Sequence, residues 1–133
     1  MESLLPLLLL ISLTSVIGLL LRAKKGVIKK GEKLKVSEGE FGGKYGSRLT
    51  ILQFSTTFCS ECRTAKAIVK DVVKDSKDIT YVEVDAESNL DLVRRVDIRS
   101  TPTTIFLDSK GFEVARAKGA PKRDQLIKAI KAI

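Results

Sequence analysis

The alternation of apolar and polar residues along the chain predicts one long apolar helix followed by strands that alternate with amphipathic helices. The first apolar run, Leu4–Leu21, is apolar on every helical face. Shorter runs follow at Leu49–Phe54 and Ile79–Asp85, and such runs are typical of buried strands. Between them, Phe58–Lys77 carries apolar residues at helical spacing, which indicates an amphipathic helix.

The second half of the chain continues the alternation. Asn89–Val96 predicts a short helix, and Thr103–Leu107 and Phe112–Ala117 predict two strands joined by a turn that contains Gly111. A final helix is predicted at Arg123–Ile133, with an inward apolar face formed by Leu126, Ile127, Ile130 and Ile133. This order of elements predicts an α/β fold with a mixed sheet, a parallel first crossover and an antiparallel hairpin.

Length and composition exclude several classes of function. The chain has 133 residues, two cysteines, no histidine and no tryptophan, so it has room for one main folded domain. Without histidine, catalysis by Ser–His or Cys–His pairs is excluded, and the commonest metal ligand is missing. Two cysteines cannot complete a four-thiolate zinc site. We therefore expect no metal site and no bound cofactor.

The apolar run at residues 3–21 predicts a membrane-spanning helix. Its nineteen uncharged residues, at about 1.5 Å each, reach close to 30 Å, the thickness of the hydrocarbon layer. A buried core helix does not fit, because the run is apolar all round and ends in a basic cluster. A cleavable signal peptide has positive charge before its apolar run. Here Met-Glu-Ser precedes the run and Arg22-Ala23-Lys24-Lys25 follows it, so we expect a retained single-span anchor.

Positive charge is concentrated directly after this run. Residues 22–35 carry seven basic side chains against one acidic, whereas residues 36–133 carry 17 basic and 14 acidic side chains. Since Lys and Arg are enriched on the cytoplasmic side of membrane spans, we expect the large domain in the cytoplasm, with the extracytoplasmic side as the alternative. The basic residues suit anionic lipid headgroups. The nearly balanced charge of the folded part does not favour nucleic-acid binding.

Residues 22–44 are predicted to form a basic juxtamembrane linker. Glycines interrupt every long element in this segment, although Val27–Ile28 and Leu34–Val36 could each form a short strand.

Both cysteines occur in one motif, Cys59-Ser60-Glu61-Cys62, at the junction of a predicted strand and a predicted helix. A thiol at a helix amino terminus lies among unpaired N–H donors, which favour its thiolate. The spacing places both sulfurs on one helix face within disulfide range. Cys59 would then attack as a thiolate, and Cys62, one turn further in, would resolve the mixed disulfide.

Three other interpretations of this pair are open. A metal site would need further ligands from a dimer or from acidic side chains. A purely structural disulfide would close too small a loop to constrain the unfolded chain. Two buried, unreactive cysteines would leave their place at a strand–helix junction unexplained. Arg63 and Lys66 add positive charge that favours a thiolate, whereas Glu61 opposes it. The position of the motif favours redox exchange.

A second motif completes the pattern of a known family. Thr101-Pro102 precedes a predicted strand about forty residues after the cysteines, and the hairpin and last helix follow. In this order, residues 45–133 resemble thioredoxin. The phrases FSTTFCSEC, VDAESNLDLVRRVDIRSTPTT and RAKGAPKRDQL, after a positively flanked anchor, are similar to the membrane-anchored thioredoxin-like proteins of actinobacteria. The resemblance implies a thioredoxin fold, a central mixed β-sheet flanked by helices, preceded by one N-terminal transmembrane helix.

The resemblance also implies roles for individual residues. Cys59 would be the nucleophile and Cys62 the resolving thiol of a Cys59–Cys62 disulfide. Pro102 would be a cis-proline beside that disulfide, and the backbone of Thr101 would pair with a bound substrate strand. Phe58, which stands where thioredoxin has tryptophan, would belong to the same substrate-binding surface.

Four further positions depart from the family pattern. Ser60 and Glu61 replace Gly-Pro between the cysteines, and Gln53 replaces the buried aspartate that assists deprotonation of the resolving cysteine. Tyr81 stands near the place of the lysine that pairs with that aspartate. We therefore expect Gln53, Ser60 and Glu61 to tune the reactivity of the cysteine pair.

Together these features predict a membrane-anchored thiol–disulfide oxidoreductase that acts in electron transport. Its partners would be protein thiols and disulfides, an unidentified reductase or other electron donor, and the membrane through residues 3–21. One alternative is an extracytoplasmic reductase like the TlpA family, which serves cytochrome c maturation. The other is a redox-silent thioredoxin-fold adaptor at the membrane.

Overall fold

The computed structural model describes residues 4–24, 26–31 and 33–133. The helices in these ranges are α1 (Leu4–Ala23), α2 (Glu38–Phe41), α3 (Ser60–Val73), α4 (Leu90–Arg95) and α5 (Arg123–Ala132). The strands are β1 (Ile28–Lys30), β2 (Leu49–Ser55), β3 (Ile79–Asp85), β4 (Thr103–Asp108) and β5 (Glu113–Lys118). Ser3 of the predicted anchor, and Lys25 and Glu32 of the predicted linker, lie outside the described residues.

The five strands form one mixed sheet in the order β1-β5-β4-β2-β3. β2 and β3 are parallel, with Leu49 opposite Ile79 and Ser55 opposite Asp85, and α3 forms the crossover between them. β4 is antiparallel to both β2 and β5, and β5 is antiparallel to β1. The predicted parallel crossover and antiparallel hairpin are therefore confirmed.

Two apolar clusters fill the space on the two faces of the sheet, which explains why every residue of the interior strand β2 is buried. One cluster lies under α3 and α5, and its helical members are Val69, Val73, Leu126 and Ile130. The other cluster lies on the opposite face, and its helical members are Phe41, of α2, and Leu92, of α4. The predicted helices on both faces are thus present.

Several element boundaries differ from the prediction. The helix predicted at Phe58–Lys77 begins at Ser60, because Cys59 is its N-cap, and it ends at Val73, which is also the last buried residue of its apolar face. In the last helix, Leu126 and Ile130 are buried as predicted, but Ile133 is 38% exposed, so its predicted inward position is wrong. Ile133 is the C-cap of α5 and lies beyond its last helical residue, Ala132.

The segment before β2 holds more structure than its many glycines indicate. The predicted strand Val27–Ile28 is replaced by β1 at Ile28–Lys30, and Leu34–Val36 forms only a bridge between Lys35 and Phe112. The short helix α2, which was not predicted, follows Ser37, whose backbone N–H donates to the Glu40 carboxylate at 2.8 Å.

The amino-terminal helix α1 is long and apolar enough to cross a membrane, and none of its residues is buried against the domain. A signal sequence would satisfy the same criteria of length and composition. α1 is therefore a candidate membrane span.

Candidate active site

The two cysteines are joined in a disulfide at the amino terminus of α3. Cys59 is the N-cap of the helix, and its sulfur accepts a hydrogen bond from the backbone N–H of Cys62 at 3.1 Å. Cys62 lies one turn further along and is only 4% exposed, whereas Cys59 is half-buried. The helix amino terminus therefore presents its N–H donors to the more accessible of the two sulfurs.

The loop before β4 packs beside this disulfide. The peptide bond between Thr101 and Pro102 is cis, and Pro102 is buried. The Thr101 hydroxyl lies 3.9 Å from the sulfur of Cys59 and 3.3 Å from the hydroxyl of Thr56. The structure thus brings together the two motifs that the sequence separates by forty residues.

Gln53 lies in β2 beneath the cysteine pair and is fully buried. Its side-chain NH₂ donates to the backbone carbonyl of Cys62 at 2.9 Å and to the hydroxyl of Ser55 at 3.0 Å. Its carbonyl oxygen accepts a hydrogen bond from the Tyr81 hydroxyl at 2.9 Å. Burial, with the nearby Glu83 carboxylate, raises the pKa of the Tyr81 hydroxyl, so this group remains a donor at neutral pH. The amide is therefore satisfied without an ionised group.

A carboxylate that the sequence analysis missed lies close to the pair. A cavity of about 160 Å³ is lined by both cysteines and by the side chains of Arg63, Lys66 and Glu83. Lys66, expected to favour the Cys59 thiolate, forms an ion pair with Glu83 at 3.2 Å. Glu83 is opposite Gln53 in the parallel β2–β3 register. Aligning the two strands in parallel would have been enough to find it.

The remaining predicted site residues lie on the surface around the disulfide. Phe58 is 97% exposed, and Ser60 and Glu61 are exposed in the first turn of α3. Gln53 is instead below the surface, in contact with Cys62. Within the described ranges, no group of three or more Cys, Asp or Glu side chains is placed to hold a metal ion.

Comparison with known proteins places this site in a family. The thioredoxin family model matches residues 32–132, a range that leaves out α1 and β1. The thioredoxin of Chlamydia trachomatis is 28% identical over 95 residues, which are 71% of this chain and 92% of the relative. The thioredoxin of the snake Ophiophagus hannah is 28% identical over 86 residues, which are 65% of this chain and 80% of the relative.

Solved structures agree with the sequence comparison. A malaria-parasite thioredoxin-2, described as a component of protein secretion machinery, superposes with a TM-score of 0.59 at 28% identity, covering 65% of this chain and 84% of its own. Thioredoxin f2 of Chlamydomonas reinhardtii superposes with a TM-score of 0.59 at 25% identity, covering 71% and 85% of the two chains. The chain belongs to the thioredoxin family and is a thiol–disulfide oxidoreductase that carries its redox pair at Cys59 and Cys62.

Proposed function

We propose that this protein is a membrane-anchored thioredoxin-like oxidoreductase in which Cys59 attacks protein substrates and Cys62 resolves the mixed disulfide. The observation that carries this assignment is the asymmetry of the pair. Cys59 is the half-buried N-cap of α3 and receives an N–H from the first turn, whereas Cys62 is almost fully buried. The helix terminus stabilises a thiolate at the accessible sulfur.

The exchange has two steps in the reducing direction. The Cys59 thiolate attacks one sulfur of a substrate disulfide, the substrate S–S bond breaks, and the other substrate sulfur leaves as a thiolate that takes a proton. The deprotonated Cys62 then attacks the sulfur of Cys59, which releases the second substrate thiol and closes the Cys59–Cys62 disulfide. Two electrons pass to the substrate, and a dithiol reductant restores the starting state.

The surface around the disulfide supports binding of an extended protein segment. Phe58, which precedes Cys59 in the chain, offers an exposed aromatic ring, and the hydroxyl of Thr101, the residue before Pro102, lies 3.9 Å from the Cys59 sulfur. We assign substrate contact to these three residues. Ser60 and Glu61, between the cysteines, would adjust the thiolate of Cys59, and Gln53 would adjust the deprotonation of Cys62.

The anchor assignment depends on α1 and on the charge that follows it. An exposed apolar helix of 20 residues supports a membrane span at residues 3–21. The basic residues of the 22–44 segment support a cytoplasmic position for the domain at 45–133. With these features, the protein resembles the membrane-anchored thioredoxin-like proteins of actinobacteria.

Trapping of mixed disulfides tests the roles of the two cysteines. In intact cells, Cys62→Ser should accumulate mixed disulfides with other proteins, because the resolving thiol is missing. Dithiothreitol should reduce these adducts and release the partner proteins. Cys59→Ser and the double variant are the matched controls and should yield few adducts. Adducts that form equally with Cys59→Ser would contradict the assignment of Cys59 as the nucleophile.

A further inference from the structure

The strand β1 fixes where the amino-terminal segment joins the domain. β1 pairs with β5, with Ile28 opposite Ala117, and the backbone N–H of Gly26 donates to the carbonyl of Lys118 at 2.6 Å. Gly26 has a φ of +75°, and a Cβ at this position would lie 2.2 Å from the carbonyl oxygen of Ala120. Only glycine fits so close an approach, so the segment is held firmly against the carboxyl end of β5.

The carboxyl end of β5 is also the active-site end of the sheet. Lys118 is opposite Thr103, the first residue of β4. The next residue, Gly119, donates its backbone N–H to the carbonyl of Pro102 at 2.8 Å. Gly26 is therefore hydrogen-bonded to Lys118, and Gly119, the next residue, is hydrogen-bonded to Pro102. These two backbone hydrogen bonds connect the amino-terminal segment to the cis-proline loop beside Cys59.

The candidate membrane helix ends close to this attachment. Three residue steps separate Ala23 from Gly26, and a fully extended chain of that length spans at most about 11 Å. A domain of about 100 residues is roughly 30 Å across. The connection is thus too short to carry the active-site end of the domain away from the membrane surface.

The end of α1 and the active-site loops share one cavity. It has a volume of about 210 Å³, and Leu21 and Lys24 line it from the side of the helix. Glu61, Ser100 and Thr101 line it from the side of the disulfide. In a bilayer, Leu21 would mark the edge of the hydrocarbon layer, and Lys24 would lie among the headgroups.

From this placement we propose that the disulfide of this protein faces the bilayer surface and that its substrates are cysteines of membrane proteins close to that surface. The proposal rests on the anchor of the proposed function, and it holds for either side of the membrane. Phe58, exposed beside Cys59, would lie at the membrane interface, where aromatic side chains are enriched. Cysteines in domains far above the bilayer would reach the site poorly.

A single tryptophan can report the depth of the active site, because the chain has none of its own. The full chain with Phe58→Trp is reconstituted into phosphatidylcholine vesicles that contain phosphatidylglycerol and lipids spin-labelled at the headgroup. Phe112→Trp is the matched control, since Phe112 is also exposed but lies in the β4–β5 turn at the opposite end of the sheet. We expect strong quenching at position 58 and weak quenching at position 112; equal quenching would overturn the orientation.

The substrate class is tested with two transmembrane peptides that carry the same fluorogenic disulfide. One holds it about five residues from the membrane span, within roughly 18 Å of it. The other holds it on a helical spacer of about 40 residues, roughly 60 Å long. We expect the near disulfide to be reduced on the order of tenfold faster. A flexible insertion of about 20 residues between Ala23 and Lys24, which reaches roughly 25 Å, should reduce this preference.

The outcomes separate this inference from the function on which it rests. If the protein floats with the vesicles and reduces a water-soluble disulfide, but shows no preference between the peptides, the substrate proposal alone is wrong. If it fails to float, the anchor is wrong and the substrate proposal falls with it. If no disulfide is reduced after treatment with dithiothreitol, the proposed exchange is wrong.

Discussion

At the scale of single residues, Gln53 is the position where the site differs most from the pattern implied by its family. The side chain is fully buried, and each of its polar atoms has a partner: the amide nitrogen donates to Cys62 and Ser55, and the oxygen accepts from Tyr81. A carboxylate in this place would be charged and could accept the proton of Cys62. The amide holds the Cys62 backbone in place but cannot accept that proton.

Replacing Gln53→Glu should therefore change both chemistry and stability. Burial raises the pKa of a carboxyl group toward neutrality, so the variant should reduce insulin faster near pH 7 and show an added titration in its rate profile. Loss of the two amide donors should cost about 1–3 kcal/mol of unfolding free energy. The rate of insulin reduction across a pH series measures the effect on the chemistry, and unfolding in denaturant measures the effect on stability.

Gln125→Glu, on the exposed face of α5, is the matched control and should leave both quantities unchanged. If the folded Gln53→Glu variant reduces insulin no faster than the parent at any pH, the lack of a buried acid does not limit the rate of this protein. The cavity shared by Cys62, Lys66 and Glu83 would then be the preferred route for the proton.

The reduced thiols should differ in reactivity. Cys59 should be alkylated faster than Cys62, because it is more accessible and lies at the helix amino terminus. Glu61→Gln removes a negative charge two residues from Cys59 and should lower the pKa of its thiol, which shifts the alkylation profile to lower pH.

Asp75→Asn provides the control for this shift, since it removes one negative charge just beyond the far end of α3. Alkylation followed by mass spectrometry assigns the rate to each cysteine. Faster labelling of Cys62 than of Cys59 would argue against the assigned roles. A pH profile of Cys59 alkylation that Glu61→Gln does not shift would also argue against them.

At the scale of elements, a buried ion pair within β5 shares its arginine with a hydrogen bond to the end of α4. The Glu113 side chain is fully buried and accepts two hydrogen bonds from Arg116, at 2.6 and 3.0 Å. Arg116 also donates to the backbone carbonyl of Val96 at 2.8 Å. The Arg116 guanidinium thus binds both the buried Glu113 carboxylate and the backbone carbonyl of Val96, the residue that follows α4.

Arg116→Met should strongly destabilise the domain, because it leaves a buried carboxylate without a partner; the expected loss is about 3–5 kcal/mol. Adding Glu113→Gln to this variant removes the buried charge and should recover part of the loss. Urea unfolding of the two variants beside the parent measures the difference. A double variant no more stable than Arg116→Met would show that the charge of Glu113 is not the cause.

The elements that the sequence predicts well are those whose burial is decided locally. The apolar runs of β2 and β3 and the stripe of α3 are visible in single stretches of chain, and so is the cysteine motif at their junction. β1 is different, because a three-residue strand with one apolar side chain, Ile28, forms only by pairing with β5, ninety residues away. The Lys66–Glu83 ion pair also joins separate elements, and Glu83 becomes visible in the sequence only when β2 and β3 are aligned in parallel, which places it opposite Gln53.

At the scale of the whole molecule, the placement of charge gives a prediction for the side of the membrane. In the proposed orientation, protease added to intact cells should leave residues 36–133 uncut, because the basic residues after α1 keep the domain in the cytoplasm. Immunoblotting with and without permeabilisation gives the readout. Digestion of the domain in intact, unpermeabilised cells would favour the extracytoplasmic alternative.

The edge strand β1 also determines where a recombinant fragment can start. β1 occupies the outer edge of β5, whose backbone N–H and C=O groups would otherwise be open to another chain. A fragment that starts at Lys24 keeps this cover and should be monomeric by light scattering. One that starts at residue 32, where the family match begins, loses it and should form oligomers by pairing of exposed edges. A monomeric shorter fragment would mean that β5 needs no such protection.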